Sequence, residues 1–142
     1  MGITIYSKNL SYNLGPGGFC RLRKTIAGLC PDEIRDHYMQ LADHYFDLRA
    51  ADPGFVHYDM GTEQIYQKYR RKYGKVINFL YASNVDCSLT YDTARQLLDL
   101  IGDYDDDIVY GYAGWGDKAM RFRHFREILE DACKTRTKWG WK

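Results

Sequence analysis

Apolar and polar residues alternate at the start of the chain, with Ile3 and Ile5 set against Thr4 and Tyr6, a short strand by its period of two. A polar stretch, Ser7 to Asn13, leads into Leu14-Gly15-Pro16-Gly17-Gly18. That cluster must turn, because glycine visits positive φ freely and proline fixes φ. From Phe19 the period lengthens to that of a helix, with Leu22, Ile26 and Leu29 on one face and Arg21, Arg23 and Lys24 off it. Pro31 suits the first turn of a second helix, and Asp32 and Glu33 follow near its positive end. Ile34, Tyr38, Leu41, Tyr45 and Leu48 recur every three or four residues along it, until Asp52-Pro53-Gly54 ends it.

Phe55 to Gly61 reads as loop, with a short strand as the alternative. Thr62-Glu63-Gln64 opens a third helix that carries Ile65, Tyr69 and Tyr73 past an exposed basic run, Lys68 to Lys72. Gly74 interrupts it, and the apolar run Val76 to Tyr81 reads as helix in preference to strand. Asn84 to Ser88 is a turn. Thr90 is a good N-cap for a helix with Ala94, Leu97, Leu98 and Ile101 inward, and Gly102 is its natural stop. An acidic turn, Asp103 to Asp107, precedes Ile108 to Tyr112, the best strand after the first, and Ala113 to Asp117 turns again. The last helix runs from about Arg121 to Lys134 with Phe122, Phe125, Leu129 and Ala132 inward, and a basic, aromatic tail follows from Thr135 to Lys142. With no repeat, linker or low-complexity tract, the pattern predicts one α+β domain over residues 1–142, mostly helical with a small antiparallel sheet.

Composition narrows the function more than the fold. A chain of 142 residues that is 45% apolar and 27% charged can bury a core, which excludes global disorder. Twenty basic against nineteen acidic side chains leave a formal charge of +1, which weighs against a protein that coats DNA or RNA. No apolar run of about 20 residues is present to span a membrane. The first residues lack the basic-then-apolar plan of a signal peptide, so a cytoplasmic domain is expected. Cys20, Cys30, Cys87 and Cys133 are scattered, with no Cys-x-x-Cys pair, and read as reduced thiols in the core.

The glycine cluster could present backbone N–H groups to a phosphate, yet it matches no nucleotide fingerprint. Arg21 and Leu22 stand where a P-loop needs its lysine and Ser/Thr, and Cys20 where a dinucleotide fold needs its third glycine. Asp103, Asp105 and Asp107 have the 1-3-5 spacing of a calcium loop, but Ile108 and Gly114 occupy the positions that require glycine and glutamate. His37, His44, His57 and His124 include no His-Glu-x-x-His, and no serine or cysteine is paired with a base by a recognisable pattern. No catalytic residue, metal or cofactor is therefore expected, although catalytic groups remote in sequence leave an enzyme open. The run Arg121-Phe122-Arg123-His124-Phe125-Arg126 places two phenylalanines inward and three arginines elsewhere at a helix start, where the dipole opposes positive charge. A bound anion would resolve that conflict; a solvated face is the alternative. Thirteen tyrosines add stacking surface of the kind that marks recognition sites.

Several longer strings go further. Ser11-Tyr12-Asn13-Leu14-Gly15-Pro16-Gly17-Gly18-Phe19 with Arg21-Leu22-Arg23, Asn78-Phe79-Leu80-Tyr81-x-Ser83, the stretch from Ile101 through Asp103-Tyr104-Asp105-Asp106-Asp107 to Tyr112, and Phe122-x-x-Phe125-x-x-Ile128-Leu129-x-Asp131 resemble a family of small phage and prophage proteins of Gram-positive bacteria. The chain is similar to the phage anti-Thoeris proteins of the first type. The likeness covers both ends and the middle, with little from Ala50 to Tyr73. It implies a cytoplasmic sponge that captures the cyclic ADP-ribose isomer made by a bacterial immune TIR enzyme without degrading it, and that binds ligand between protomers of a dimer or larger homo-oligomer.

Such a ligand offers an adenine, ribose hydroxyls and two phosphate charges, so its pocket needs aromatic plates and a few arginines but no catalytic base. Phe79, Tyr110 and Tyr112 are candidates for the plates and Arg21, Arg23, Arg121 and Arg123 for the phosphates, and the resemblance implies a further ligand contact at Asp107, the end of the acidic turn. Two other classes remain open: an enzyme that hydrolyses a cyclic nucleotide signal, which needs a positioned acid–base pair or a metal, and a protein-binding inhibitor of a host defence component.

Overall fold

The computed structural model describes residues 2–40, 60–82 and 86–142. Strands β1 (Ile3–Tyr6) and β2 (Ser11–Leu14) open the chain and are followed by α1 (Pro16–Gly28) and by α2, which covers the described residues 32–40. Then come α3 (Met60–Leu80), β3 (Cys87–Leu89), α4 (Tyr91–Ile101), a 3-10 segment (Ala113–Lys118), α5 (Phe122–Thr135) and β4 (Trp139–Trp141). The four strands form one antiparallel sheet in the order β2-β1-β4-β3, so the architecture is the mostly helical α+β fold that the periodicities predict.

The sheet has one inward face. Ile3, Ile5 and Leu14 are buried, as are Trp139 and Trp141 of β4, and α5 and the last turns of α3 cover them. Phe79 sits at the middle, with ring centres of Phe125, Trp139 and Trp141 at 5.9, 5.7 and 5.6 Å and Phe19 edge-on at 6.4 Å. Each ring so enclosed contributes on the order of 1.5–3 kcal/mol through its area alone. Trp139 also finds a partner for its indole N–H in the Thr90 carbonyl at 3.1 Å, which ties β4 to the start of α4.

Local signals place several elements correctly. Pro16 occupies the first turn of α1, where its missing N–H is no loss, so the helix begins three residues before the period becomes evident at Phe19. Thr90 caps α4 through its backbone, its carbonyl receiving the N–H groups of Thr93 and Ala94, and Gly102 ends that helix at φ 49°. The apolar run after Gly74 is helical through Leu80. The periodic positions Leu41, Tyr45 and Leu48, the stop at residues 52–54, the first residues of the expected loop, and His44 and His57 lie outside the described residues.

Five expectations need correction. The polar stretch 7–13 contains β2, whose register opposes Ile3 to Leu14 and Ile5 to Tyr12. Asp131 of α5 secures that hairpin, accepting hydrogen bonds from the Ser7 hydroxyl at 2.6 Å and from the Asn9 backbone and side chain, each at 2.9 Å. Burial pushes the Asp131 carboxyl up, but these donors outweigh it and hold the group below its ordinary value. Cys87 and Ser88 begin a strand instead of closing a turn. Gly74 does not interrupt its helix, because α3 is continuous from Met60 to Leu80, and the basic, aromatic tail, for which the pattern predicts no element, holds β4 between β1 and β3 with both tryptophans fully buried. Ile108 to Tyr112 forms no strand: a single bridge joins Val109 to Arg121, and the Tyr110 and Gly111 N–H groups converge on one carbonyl, that of Met120.

The four cysteines are free thiols, but only Cys30 is buried; Cys20, Cys87 and Cys133 are partly exposed, so the expected core placement holds for Cys30 alone. Burial pushes Cys30 up to about 12, which leaves it an inert core group.

Candidate functional site

Residues 108–122 form a hairpin-like arm. Its two limbs meet through Tyr110 N–H to Met120 O at 2.8 Å and Phe122 N–H to Ile108 O at 2.9 Å, and the 3-10 segment is its tip. The arm ends at the start of α5, and here the structure changes the expected chemistry. Phe122, Arg123 and His124 donate their backbone N–H groups to Ile108 O, Asp106 O and Arg121 O, and the Arg121 N–H donates to His124 Nδ1 at 2.8 Å. The donors of this helix end are thus occupied by the chain itself, so an anion is not needed to satisfy them.

His124 can accept that bond only as a neutral ring with its proton on Nε2. Burial lowers its pKa below the usual 6.5, Glu127 opposes the shift, and Arg123 and Arg121 reinforce it. A folded-state pKa below the unfolded one means that the unfolded chain binds the proton more readily. The stabilisation is therefore complete above about pH 6.5 and is lost as pH falls through the lower folded value. Thermal melts should stay level from pH 8 to 7 and fall below about 6.5, and His124→Gln should flatten part of that slope. Parallel slopes in the two proteins would show that His124 does not titrate in this way.

Five of the eight residues singled out from the sequence come together at the base of the arm, and a sixth, Tyr112, stands exposed further along it. Arg21 of α1 points two guanidinium nitrogens at the Val109 and Tyr110 carbonyls, each at 3.4 Å, with its carbon 5.8 Å from the Tyr110 ring centre. Arg121 donates to the Asp107 carbonyl at 3.1 Å, and Arg123 forms an ion pair with the Asp107 carboxylate. Arg126 reaches Asp106 at 2.9 Å and the Tyr104 carbonyl at 3.1 Å. The acidic turn thus supplies countercharge to Arg123 and Arg126 and a backbone acceptor to Arg121 at the helix start. Tyr110 is 2% exposed, with its hydroxyl 2.8 Å from Thr25 Oγ1 and its ring against Phe122, so it supports Arg21 instead of presenting a stacking face.

The other two belong to the core. Phe79 is fully buried among the rings described above, and no face of it is open to a ligand. Arg23 is 3% exposed, its guanidinium carbon 4.6, 5.0 and 5.5 Å from the ring centres of Phe19, Trp141 and Phe79. This corrects the expectation that Arg23 lies off the apolar face: position 23 is four residues after Phe19 and three before Ile26, on the inward face of α1.

The exposed aromatic surface lies further along the arm. Tyr112 is 48% exposed and Trp115 45%, with ring centres 5.0 Å apart and nearly edge to face. Trp115, Lys118 and Met120 form one wall of a groove of about 400 Å³, and Ser11, Tyr12 and Asn13 of β2 form the other. None of the arginine-surface residues lines it. Sequence reading missed this groove, although Gly114-Trp115-Gly116 carried a signal: a bulky ring between two glycines has little local chain to hide behind.

Gly18 fixes where the arm lies. A Cβ added there would stand 1.8 Å from the Tyr110 carbonyl oxygen, so the glycine cluster permits a close backbone approach. Gly18→Ala should cost about 1–3 kcal/mol through overpacking and should shift the arm relative to α1. Urea unfolding with backbone NMR of residues 108–112 would reveal both effects; unchanged shifts there would place the contact elsewhere.

No protein-family model, curated protein or solved structure matches the chain. Among the described residues, no helix is long and apolar enough to cross a membrane, and no three His, Cys, Asp or Glu side chains are grouped to hold a metal ion.

Proposed function

We propose that this protein is a phage-encoded sponge, which acts in the cytoplasm of the bacterial host by sequestering a cyclic ADP-ribose isomer without hydrolysing it. The observation that carries this reading is the convergence of Arg21, Arg121 and Arg123 on the backbone of residues 107–110 and the Asp107 carboxylate, at the base of an arm that also exposes Tyr112. Guanidinium forks suit a diphosphate, and an exposed tyrosine offers an adenine a stacking plate. The resemblance of the surrounding strings to anti-Thoeris proteins points the same way.

The arginine surface is open on one side, so the ligand would need cover from a second copy, as expected for a homo-oligomer that is at least a dimer. The aromatic surplus alone does not require one, because Tyr112 and Trp115 are the only large hydrophobic residues left exposed among those described. Light scattering at micromolar concentration should return at least twice the 16.7 kDa chain mass, and a monomer mass would remove that part of the proposal. Calorimetric titration with linkage isomers of cyclic ADP-ribose tests the binding itself. Saturable uptake of one isomer supports it, and heat from none of them contradicts it.

A further inference from the structure

We propose that the groove between β2 and the arm tip is a strand-addition site for a partner protein, taking an extended peptide that carries a large apolar side chain beside a carboxylate. This goes beyond nucleotide capture and uses a different surface.

The open edge follows from the register. Thr4 exchanges both of its backbone bonds with Lys142, donating to Lys142 O at 2.9 Å and accepting from the Lys142 N–H at 3.0 Å. Its neighbours Ile3 and Ile5 must therefore turn theirs toward β2, where they face Leu14 and Tyr12. The Ser7 N–H bond to Leu10 O at 2.9 Å continues the same alternation through the turn. Ser11 and Asn13 are left with their N–H and C=O groups directed outward on an edge strand, and no backbone partner meets them among the described residues. Two such residues, two positions apart, match the hydrogen-bonding repeat of an extended chain.

The same two residues line the groove, so a strand added to this edge would lie within it. Alternate side chains of that strand would point toward Tyr12, Met120 and Trp115. Tyr12 makes a firm wall: its ring centre is 4.5 Å from that of His124, and its hydroxyl donates to Glu127 at 2.6 Å. Burial, reinforced by Glu127, pushes this hydroxyl up to about 12 and keeps it a donor. Trp115, nearly half exposed, supplies the apolar contact on the opposite side.

Charge selects the occupant. Lys118 is the one ionised side chain of the lining, it is exposed, and it forms no ion pair among the described residues. A peptide carboxylate would complement it. Pairing β2 with β2 of a second copy would instead merge two grooves and bring two Lys118 side chains together, with no carboxylate from either lining to offset them. An acidic, apolar peptide from another protein therefore fits the groove better than another copy of this chain.

The test is a synthetic array of octapeptides with acetylated and amidated ends, scanned through all residue types and probed with the purified full chain. Selection should favour an aromatic or branched apolar residue with Asp or Glu at an alternate position. For the selected peptide, N-methylation of the amides that face β2 should weaken binding at least about tenfold, through a lost backbone bond and a steric block, whereas N-methylation on the opposite edge should be tolerated. Lys118→Glu should turn the preference from acidic to basic peptides, and the Ser11 and Asn13 amides should gain protection from hydrogen exchange on binding. Asn13→Pro, which removes an outward N–H, should abolish binding; should that variant misfold, Lys118→Glu and the N-methylated pair still decide. Failure of the folded protein to bind any peptide in the array would overturn the proposal, as would equal binding of the two N-methylated series. Concentration-dependent protection of Ser11 and Asn13 in the free protein would also overturn it, by showing that a second copy holds the edge.

Discussion

Trp141→Ala is expected to remove about 3–5 kcal/mol of stability, which is a large share of the ~5–15 kcal/mol of a typical domain. Three structural roles meet at this residue. Its backbone lies opposite both Ile5 of β1 and Cys87 of β3, so it helps hold the sheet across its centre. Its ring packs against Phe19 at 5.0 Å, Phe79 at 5.6 Å and Trp139 at 6.1 Å. It also forms one face of the aromatic box around the Arg23 guanidinium, and removing it would open a buried cation to a void. Trp115→Ala is the internal control, because that ring lies on the surface and its loss should change stability by no more than about 0.5 kcal/mol. Urea unfolding of the two variants side by side gives the comparison, and equal midpoints would contradict the placement of the tail inside the sheet.

The second large effect is on ligand affinity. Arg121→Ala or Arg123→Ala should weaken binding of a cyclic ADP-ribose isomer about 10- to 150-fold, the equivalent of losing a charge-assisted hydrogen bond of roughly 1.5–3 kcal/mol. The fold should change by no more than about 1 kcal/mol, because their contacts with Asp107 are made at the exposed surface. Arg123→Lys should recover only part of the affinity, since lysine keeps the charge and loses the planar fork. Asp107→Asn should act in the opposite direction. Its carboxylate holds Arg123 and would repel a phosphate, so removing the charge should tighten binding by about 2- to 5-fold. Arg23→Ala separates the two kinds of arginine: its effect should appear in the unfolding curve, because that guanidinium is enclosed by Phe19, Phe79 and Trp141. Calorimetry with the Arg121 and Arg123 variants unchanged in affinity would place the ligand away from the base of the arm.

Local chemistry made part of this molecule legible. Pro16, Thr90 and Gly102 mark helix ends by rules that operate within a few residues, and the inward positions of α4 and α5 follow from their period. What stayed hidden depends on distant partners. Trp139-Gly140-Trp141 is too short to show a pattern, and it becomes a central strand only because β1 and β3 flank it. Gly140 permits that fit, since a Cβ there would meet the Cys87 carbonyl at 2.1 Å. Ile108 to Tyr112 has the composition of a strand, yet its carbonyls and amides serve α5, Arg21 and Met120.

The candidate site divides in the same way. The arginines near α5 and the acidic turn were each legible, but their pairing was not, because Asp106 and Asp107 reach Arg126 and Arg123 across 20 and 16 residues. Arg21 and Arg23 differ by only two positions, and the 100° step of a helix sends one to the arm and the other into the core.

Sequestration without hydrolysis is tested most directly by incubating the purified protein with a cyclic ADP-ribose isomer, removing unbound nucleotide, denaturing the complex by heat, and analysing the released material by mass spectrometry. A sponge returns the intact cyclic nucleotide in an amount that tracks the protein. Recovery of a linear or cleaved product would identify an enzyme, and recovery of no nucleotide would show that the arginine surface does not hold this ligand.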